Sequence, residues 1–450
     1  MVTRARTIAV VGAGWAGLSA AVRLVDAGHR VTVFDAARDV GGRARAFNWQ
    51  PPQMPPERLD NGQHIMIGAY RGMLELLRHV GCPPETVLRR EPLTLIDSRG
   101  LHFKAGRLFA PLHLLSGMLF ARGLTLADRL AMARLMMRAR RAHFRIGADR
   151  SVEAWLLEQR QPASLIARVW APLCVAALNT PMHIASAQIF LNVLRDSLGA
   201  ERGASDFLLP TTPLDQIVPA HATRYLQAHG ATLALGQLVE RIDLTDTGVS
   251  IRLREEEMRF DGLIAAVAAH RIKALIGHLP GAAWAKLATL CDGFHWQPIT
   301  TIYLYYDEAL ALPAAMMALE EKPLEGAFGQ WLFARGALGG NPRSVAVVIS
   351  AEGRHRDVDG AELERMVARQ LRNQAGITAH LVAAQTVTEK RATFAAVPGL
   401  LRPNNQTPSP HIALAGDYTE SDYPATLEGA LRSGRIAAGL LVKTLRQGSD

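Results

Sequence analysis

Ile8-Ala9-Val10-Val11-Gly12-Ala13-Gly14-Trp15-Ala16-Gly17, continued by Leu18 to Gly28 and by Arg30-Val31-Thr32-Val33-Phe34-Asp35, is the stretch whose reading decides the fold. Ile8–Val11 is a short apolar run and reads as a buried parallel strand. Leu18 to Gly28 has helical spacing and closes on a glycine. Arg30–Phe34 is a second strand, ending in Asp35 about 20 residues beyond the glycine turn. Strand, G-x-G-x-x-G turn, helix, strand and acid stand in the order of the dinucleotide-binding fingerprint. Gly12 allows the tight turn, Gly14 lets the backbone approach a pyrophosphate, and Gly17 lets the helix pack on the strand. The helix start at Trp15 and Ala16 offers free N–H groups to phosphates. Asp35 accepts hydrogen bonds from ribose hydroxyls. A bare glycine-rich turn is the competing reading, and this context makes it the weaker one.

Gly41-Gly42-Arg43-Ala44-Arg45 follows closely. The two glycines let the backbone pass near a ligand, and an arginine pairs with phosphate. A surface salt bridge is the other reading of Arg43. This addition resembles the Gly-Gly-Arg element of the flavin-containing amine oxidase and phytoene desaturase superfamily. The resemblance implies FAD, with its pyrophosphate near Gly14, Gly41, Gly42 and Arg43.

The chain has 450 residues, so two domains are expected. Hydrophobic content of 49% with 20% charged residues excludes a disordered chain. Cys82, Cys174 and Cys291 are odd in number and far apart, which predicts no metal site and no disulfide framework, and suits a reducing compartment. No signal peptide and no transmembrane helix are expected, since Ile8–Val11 is too short and no apolar run reaches about 18 residues. The net charge of +9 favours acidic surfaces. No nucleic-acid module is recognisable, so anionic lipid is the expected partner and nucleic acid is not.

Residues 51–58 read as a loop. Leu59-Asp60-Asn61-Gly62-Gln63-His64-Ile65-Met66-Ile67-Gly68 then admits two readings of equal weight. It is a loop beside the flavin, with Gly62 permitting close approach and Gln63 or His64 facing the ring, or a turn entering a strand, with His64 hydrogen-bonded in the core. Leu108 to Ala121 is almost wholly apolar. Leu126 to Arg145 follows with helical spacing and six arginines. An apolar hairpin beside an arginine-rich amphipathic helix suits a monotopic membrane contact; a core helix with a solvated arginine face has about equal weight. Helices are expected at 151–161, 162–177 and 185–197. The nucleotide domain is expected to resume at Leu208, with strands near Thr232–Leu235 and over Phe260–Ala268. Phe294–Tyr306, Gly326–Phe333, Ser344–Ser350 and Gln385–Ala396 read as an antiparallel sheet, with a helix over Ala361–Asn373. Alternation along Thr300–Tyr306 would put one face on a pocket. The superfamily resemblance also implies that Val239 sits by the adenosine.

Ile412–Ala415 is a buried strand ending in Gly416-Asp417. A helix rich in small residues follows, and its start at Ala425-Thr426-Leu427 can point at the electron-rich edge of the flavin. The resemblance makes Gly416-Asp417 the second FAD element, with the acid at the ribityl–phosphate region. Asp60-Asn61-Gly62-Gln63-His64, Gly416-Asp417-Tyr418 and Tyr423 through Ala430 resemble the squalene-associated branch of the FAD-dependent desaturases, the hydroxysqualene dehydroxylases of bacterial hopanoid biosynthesis. Asp35 departs from the Glu of many relatives.

The fold expected is α/β: an amine oxidase-like Rossmann-type FAD-binding domain (1–80, 208–275 and 397–450) with an interleaved α+β substrate domain, helical insertion plus antiparallel sheet (81–207 and 276–396). Proximity to the flavin motifs makes His64 the first candidate acid, supported by a charged Asp60, and Tyr423 the second. The resemblance implies reduction of hydroxysqualene to squalene. It also implies a C30 polyprenoid substrate, an unidentified electron donor, coupling to squalene-forming and cyclising enzymes, and a place on the inner face of the cytoplasmic membrane. A carotenoid-type desaturase or another FAD oxidase is the alternative, and a non-catalytic flavin-bearing membrane scaffold the second.

Overall fold

The computed structural model describes residues 5–52 and 54–447. Its central feature is a five-stranded parallel sheet in the order Thr232–Leu235, Arg30–Asp35, Thr7–Val11, Gly262–Ala265, Ile412–Leu414. Thr7–Val11 lies in the middle and is covered on both faces, which is why it reads as an unbroken apolar run. Gly12 takes φ 114°, a conformation open to glycine, and donates its N–H to Phe34 O at 2.7 Å. A Cβ at Gly17 would overlap the Gly12 carbonyl. The helix Trp15–Asp26 packs on the last helix, Leu427–Gln447, closely enough that a Cβ at Gly434 would overlap the carbonyl of Ala16. The small residues of both helices make that approach possible.

A second sheet is antiparallel, in the order Met316–Ala318, Trp331–Ala334, Ser344–Ser350, Trp296–Tyr306, Leu381–Phe394. Side chains alternate across it. Ile302, Leu304, Val345 and Val347 meet Leu363, Val367 and Leu371 of the helix Gly360–Ala375. Tyr303, Tyr305, Trp331 and Phe333 pack on the other side with Leu59 and Leu209. The helices Leu112–Phe120, Leu126–Arg141, Val152–Glu158, Ala171–Leu178 and Ala187–Ser197 form a third body. Thr125 and Asp128 close a capping box at the start of Leu126–Arg141, exchanging hydrogen bonds at 3.1 and 3.0 Å.

Four expectations need correction. Phe260–Ala268 is not one strand: Glu257–Phe260 belongs to an antiparallel meander and Gly262–Ala265 to the parallel sheet. The chain turns between them at Asp261, whose carboxylate accepts the Thr7 N–H at 2.7 Å and the Thr7 hydroxyl at 2.8 Å. Phe207–Pro210 does not rejoin the parallel sheet but pairs with Met66–Ile67 and Leu88–Glu91. The expected divisions at 80/81 and 207/208 therefore cut through a small sheet. The helix expected over 162–177 is interrupted by a π-helical turn at Ile166–Trp170, just before Pro172, which has no N–H to continue the ladder. The strand expected from Gly326 starts at Trp331, because Gly326 ends a 3₁₀ turn in the left-handed conformation. Among the described residues no helix is long and apolar enough to cross a membrane.

Candidate active site

One cavity of about 910 Å³ runs from the glycine turn into the helical body. That volume lies at the top of the roughly 300–1,000 Å³ range of small-ligand sites. Gly12, Gly14, Trp15, Ala16, Asp35, Gly41, Gly42 and Arg43 form one end. Gln63, His64, Gly416, Asp417, Ala425, Thr426 and Leu427 also line it. Segments far apart in sequence are thus gathered on one wall. Met118, Met132, Met136, Leu173, Ala177 and Phe190 make another part apolar.

The nucleotide end fits FAD. A Cβ at Gly14 would meet nothing nearer than 3.9 Å, so backbone is open to a ligand there. Gly41 and Gly42 hold φ of 106° and 63°, and Gly41 donates its N–H to Ala13 O at 2.9 Å, setting the second glycine loop against the first. The start of Trp15–Asp26 has no side-chain cap, leaving its N–H groups for an anion. Tyr418 Oη is buried beside this region without a hydrogen-bond partner among the described residues. The Tyr418 ring lies so close over Gly416 that a Cβ there would overlap it.

Asp35 braces the turn: its two oxygens accept the N–H groups of Ala13 at 2.7 Å and Ala37 at 2.8 Å. Arg43 donates to Asp417 Oδ1 at 2.7 Å and to Ala392 O at 2.7 Å. Burial works against its charge, but Asp417 outweighs burial and the pKa rises. Arg43 is neither free for phosphate alone nor a simple surface pair; it ties the two expected cofactor elements together.

His64 lines the cavity and donates Nδ1–H to Gly62 O at 2.7 Å. Burial lowers its pKa, and the charge of Arg43 lowers it further. The ring is therefore neutral, with Nε2 an acceptor. This corrects the expected support from Asp60, whose carboxyl takes the Leu214 N–H at 2.8 Å and is itself pushed up to about 7, chiefly by burial. Tyr423 Oη donates to Asp196 Oδ2 at 2.6 Å and accepts from Arg432 Nη1 at 3.2 Å, so its proton is committed at rest. Val239 is not brought to the cavity; it is buried in the core with Ile242, Val249 and Ile251. Gly17 also stays off the cavity wall, packing helix on strand instead. Of the strand Trp296–Tyr306, Ile299 is the residue that lines the cavity, not the 300–306 face.

Three groups escaped the sequence reading. Tyr70 lines the cavity beside Thr426, and burial raises its pKa strongly, so its phenol stays protonated. Asp196 lies in the wall and carries Arg195 as well as Tyr423; these partners hold its pKa low against burial. Arg402 donates to the carbonyls of Asp417, Tyr418, Ser421 and Tyr423, at 2.5 to 3.2 Å, and staples the loop before the last helix. None of the three stands in a motif, and a lone Tyr, Asp or Arg at such spacing carries no signal.

Apolar side chains are exposed over residues 108–137. Phe109, Leu119, Phe120 and Leu126 are 71%, 66%, 80% and 72% exposed. Leu115 and Met137 belong both to this surface and to the cavity wall. Arg134, Arg140, Arg141 and Arg145 are exposed on the same segment.

The profile of the flavin containing amine oxidoreductases matches residues 15–442. Over 97% of this chain and 98% of theirs, it is 29% identical to a hydroxysqualene dehydroxylase of Rhodopseudomonas palustris and 26% identical to one of Sinorhizobium fredii. A probable zeta-carotene desaturase of Synechococcus elongatus is 24% identical over the same shares. Among solved structures, an oxidoreductase from Methanosarcina mazei superposes with a TM-score of 0.72 at 16% identity, covering 96% of this chain and 99% of that one, which supports the shared fold.

Proposed function

Because this chain belongs to the flavin containing amine oxidoreductase family, we propose that its activity is the reductive dehydroxylation of hydroxysqualene to squalene. It is an FAD-dependent oxidoreductase. The observation that carries the reading is the single cavity joining a dinucleotide-binding end to an apolar end, together with full-length similarity to hydroxysqualene dehydroxylases. The net reaction replaces C–OH by C–H, taking up two electrons and two protons and releasing water.

Reduced FAD supplies hydride. The glycine turns, the N-terminus of Trp15–Asp26 and Arg43 would hold its phosphates, and Asp35 its ribose. The chain's own residues have three tasks. Met118, Met132, Met136, Leu173 and Phe190 bind a C30 chain by excluding water. Neutral His64 Nε2 accepts the hydrogen bond of the substrate hydroxyl and orients it, while the Tyr423 phenol, held by Asp196 and Arg432, shapes the wall. Tyr70, whose phenol stays protonated in the wall, donates a hydrogen bond to the substrate oxygen. Being neutral, His64 is an acceptor here and not the acid.

The exposed apolar surface at 108–137, with its arginines, docks the protein on an anionic membrane, and Leu115 and Met137 bring the cavity to that face. A water-insoluble substrate would then pass between bilayer and cavity without crossing water. This favours the inner face of the cytoplasmic membrane as its site.

Anaerobic incubation of reduced holoprotein with hydroxysqualene, read by mass spectrometry, tests the proposal. Squalene as product supports it. No turnover of hydroxysqualene, with dehydrogenation of phytoene by the oxidised protein, would assign it to the desaturases instead, the reading that the zeta-carotene desaturase similarity favours.

A further inference from the structure

Dehydroxylation consumes two electrons per turnover, and the chain holds no thiol relay to supply them. Its three cysteines are buried free thiols, two of them pushed up to about 12 by burial. Electrons must therefore arrive from outside the chain. The exposed apolar face at 108–137 is the one proposed for the membrane, so a water-soluble donor needs another approach.

A second, solvent-open cleft of about 380 Å³ adjoins the cofactor end. It shares Arg45 and Asn61 with the main cavity. Asn61 Nδ2 donates to Arg43 O at 3.3 Å and to Glu389 Oε2 at 3.2 Å, so the cleft wall is joined directly to the residue that pairs with Asp417. Phe47 and Val387 give the cleft an apolar floor, and Thr386 and Thr388 stand beside them. Exposed Arg45 lines it, and the exposed cations Lys390 and Arg391 follow its Thr388 in the same strand. Arg391, Arg271 and Arg43, opposed by Glu389, all act on the His270 imidazole, so these charges lie within reach of one another. Glu389, Asp417 and Glu364 are the acids there: Glu389 is bound to Asn61, Asp417 to Arg43, and Glu364 accepts the Thr386 hydroxyl at 2.8 Å.

We propose that this cleft is the docking surface for a small acidic one-electron carrier protein. The inference rests on the dehydroxylation reading, which requires a reductant. A small apolar patch rimmed by cations matches how transient redox partners meet: the interface is small, and charge steers encounter and orientation more than it sets affinity. Two encounters deliver two electrons, and the accompanying protons come from water. A dinucleotide reductant is the less suitable occupant, because the cleft has no glycine turn or helix start to hold a pyrophosphate.

The test is anaerobic stopped-flow reduction of the FAD holoprotein by reduced plant-type [2Fe–2S] ferredoxin. Lys390→Glu combined with Arg391→Glu should slow flavin reduction at low salt by about tenfold or more and flatten its salt dependence. The milder Lys390→Gln with Arg391→Gln should fall between. Photochemical reduction by deazaflavin, and squalene formation by the pre-reduced variant, should stay at wild-type levels and show that fold and site are intact. Equal ferredoxin rates in wild type and both variants would overturn the proposal, as would faster reduction of the wild type by NADPH alone. Failure of pre-reduced wild type to form squalene would instead count against the dehydroxylation reading, leaving the reduction rates to judge the docking surface.

Discussion

Asp60 is the residue whose chemistry departs furthest from its sequence appearance. Next to His64 it looks like a carboxylate that would hold a proton on the imidazole. In the fold it is buried, accepts one backbone N–H and titrates near 7. A carboxyl raised on folding binds its proton more tightly in the native state, so its contribution is fully present at acidic pH and is lost as pH rises through about 7. Asp60→Asn should match wild type below pH 4 and gain relative stability from pH 5 to 8, by about 2–4 kcal/mol at most given about 1.4 kcal/mol per pKa unit. Chemical denaturation across that range checks it; a difference independent of pH would mean burial does not control this group. At the same scale, Tyr70→Phe should slow single-turnover squalene formation by about tenfold, the cost of one lost hydrogen bond. His64→Gln, which keeps an acceptor, should cost about tenfold or less. A loss of about 10²-fold or more for His64→Gln in a rapid-quench assay of pre-reduced protein would restore His64 as the acid.

Elements explain why the helical body differs from the others. Leu126–Arg141 starts at a capping box formed by Thr125 and Asp128, and it buries Ala131, Leu135 and Ala139. It turns Leu126, Leu130 and Met137 outward. The preceding helix, Leu112–Phe120, leaves Leu112, Leu115, Leu119 and Phe120 uncovered. An apolar surface of this kind on a single chain calls for a partner, and a bilayer is the partner proposed above. Phe109→Ser, Leu119→Ser and Phe120→Ser together should abolish co-sedimentation with anionic liposomes at moderate salt. Each fully buried apolar side chain of this size is worth about 1.5–3 kcal/mol. Since none of the three lines the cavity, turnover of detergent-solubilised substrate should be unchanged. Liposome binding at the wild-type level would remove this face from the membrane.

At the scale of the whole molecule, the cavity is held together by distant segments meeting on one wall: the first glycine turn, Gly41–Arg43, Gln63–His64 and Gly416–Leu427. The pair Arg43–Asp417 and the carbonyls gathered by Arg402 connect them. A ligand spanning such segments stabilises the fold by mass action, about 4 kcal/mol at a thousandfold excess over its Kd. Removing FAD should therefore lower the melting temperature by several degrees, and adding FAD should restore it. Riboflavin should restore far less, because it lacks the phosphates that the glycine turns and the helix start are built to hold. Equal rescue by both in differential scanning fluorimetry would mean those turns contribute little.

What the sequence determined by itself was the part written in local chemistry. Ile8 to Asp35 specifies a strand, a glycine turn and a helix within short range, because only glycine tolerates the φ of 114° at Gly12 and the overlap that a Cβ at Gly17 would cause. Gly41–Arg43 and Gly416-Asp417 were legible only through their resemblance to the flavin-containing amine oxidase superfamily, which implied FAD as cofactor. Tertiary structure alone decided the charge states and the pairings. Whether His64 carries a proton depends on its burial and on Arg43, and whether Tyr423 can release one depends on Asp196, which lies 227 residues away in sequence. Val239 looked like an adenosine contact on one matching residue, yet packing put it in the core. Leu208 was where the nucleotide domain was expected to resume, and Phe207–Pro210 pairs antiparallel with Leu88–Glu91 there. Hydrophobic pattern sets which residues are buried; it does not say against what, and both pKa values and strand partners are properties of the neighbour.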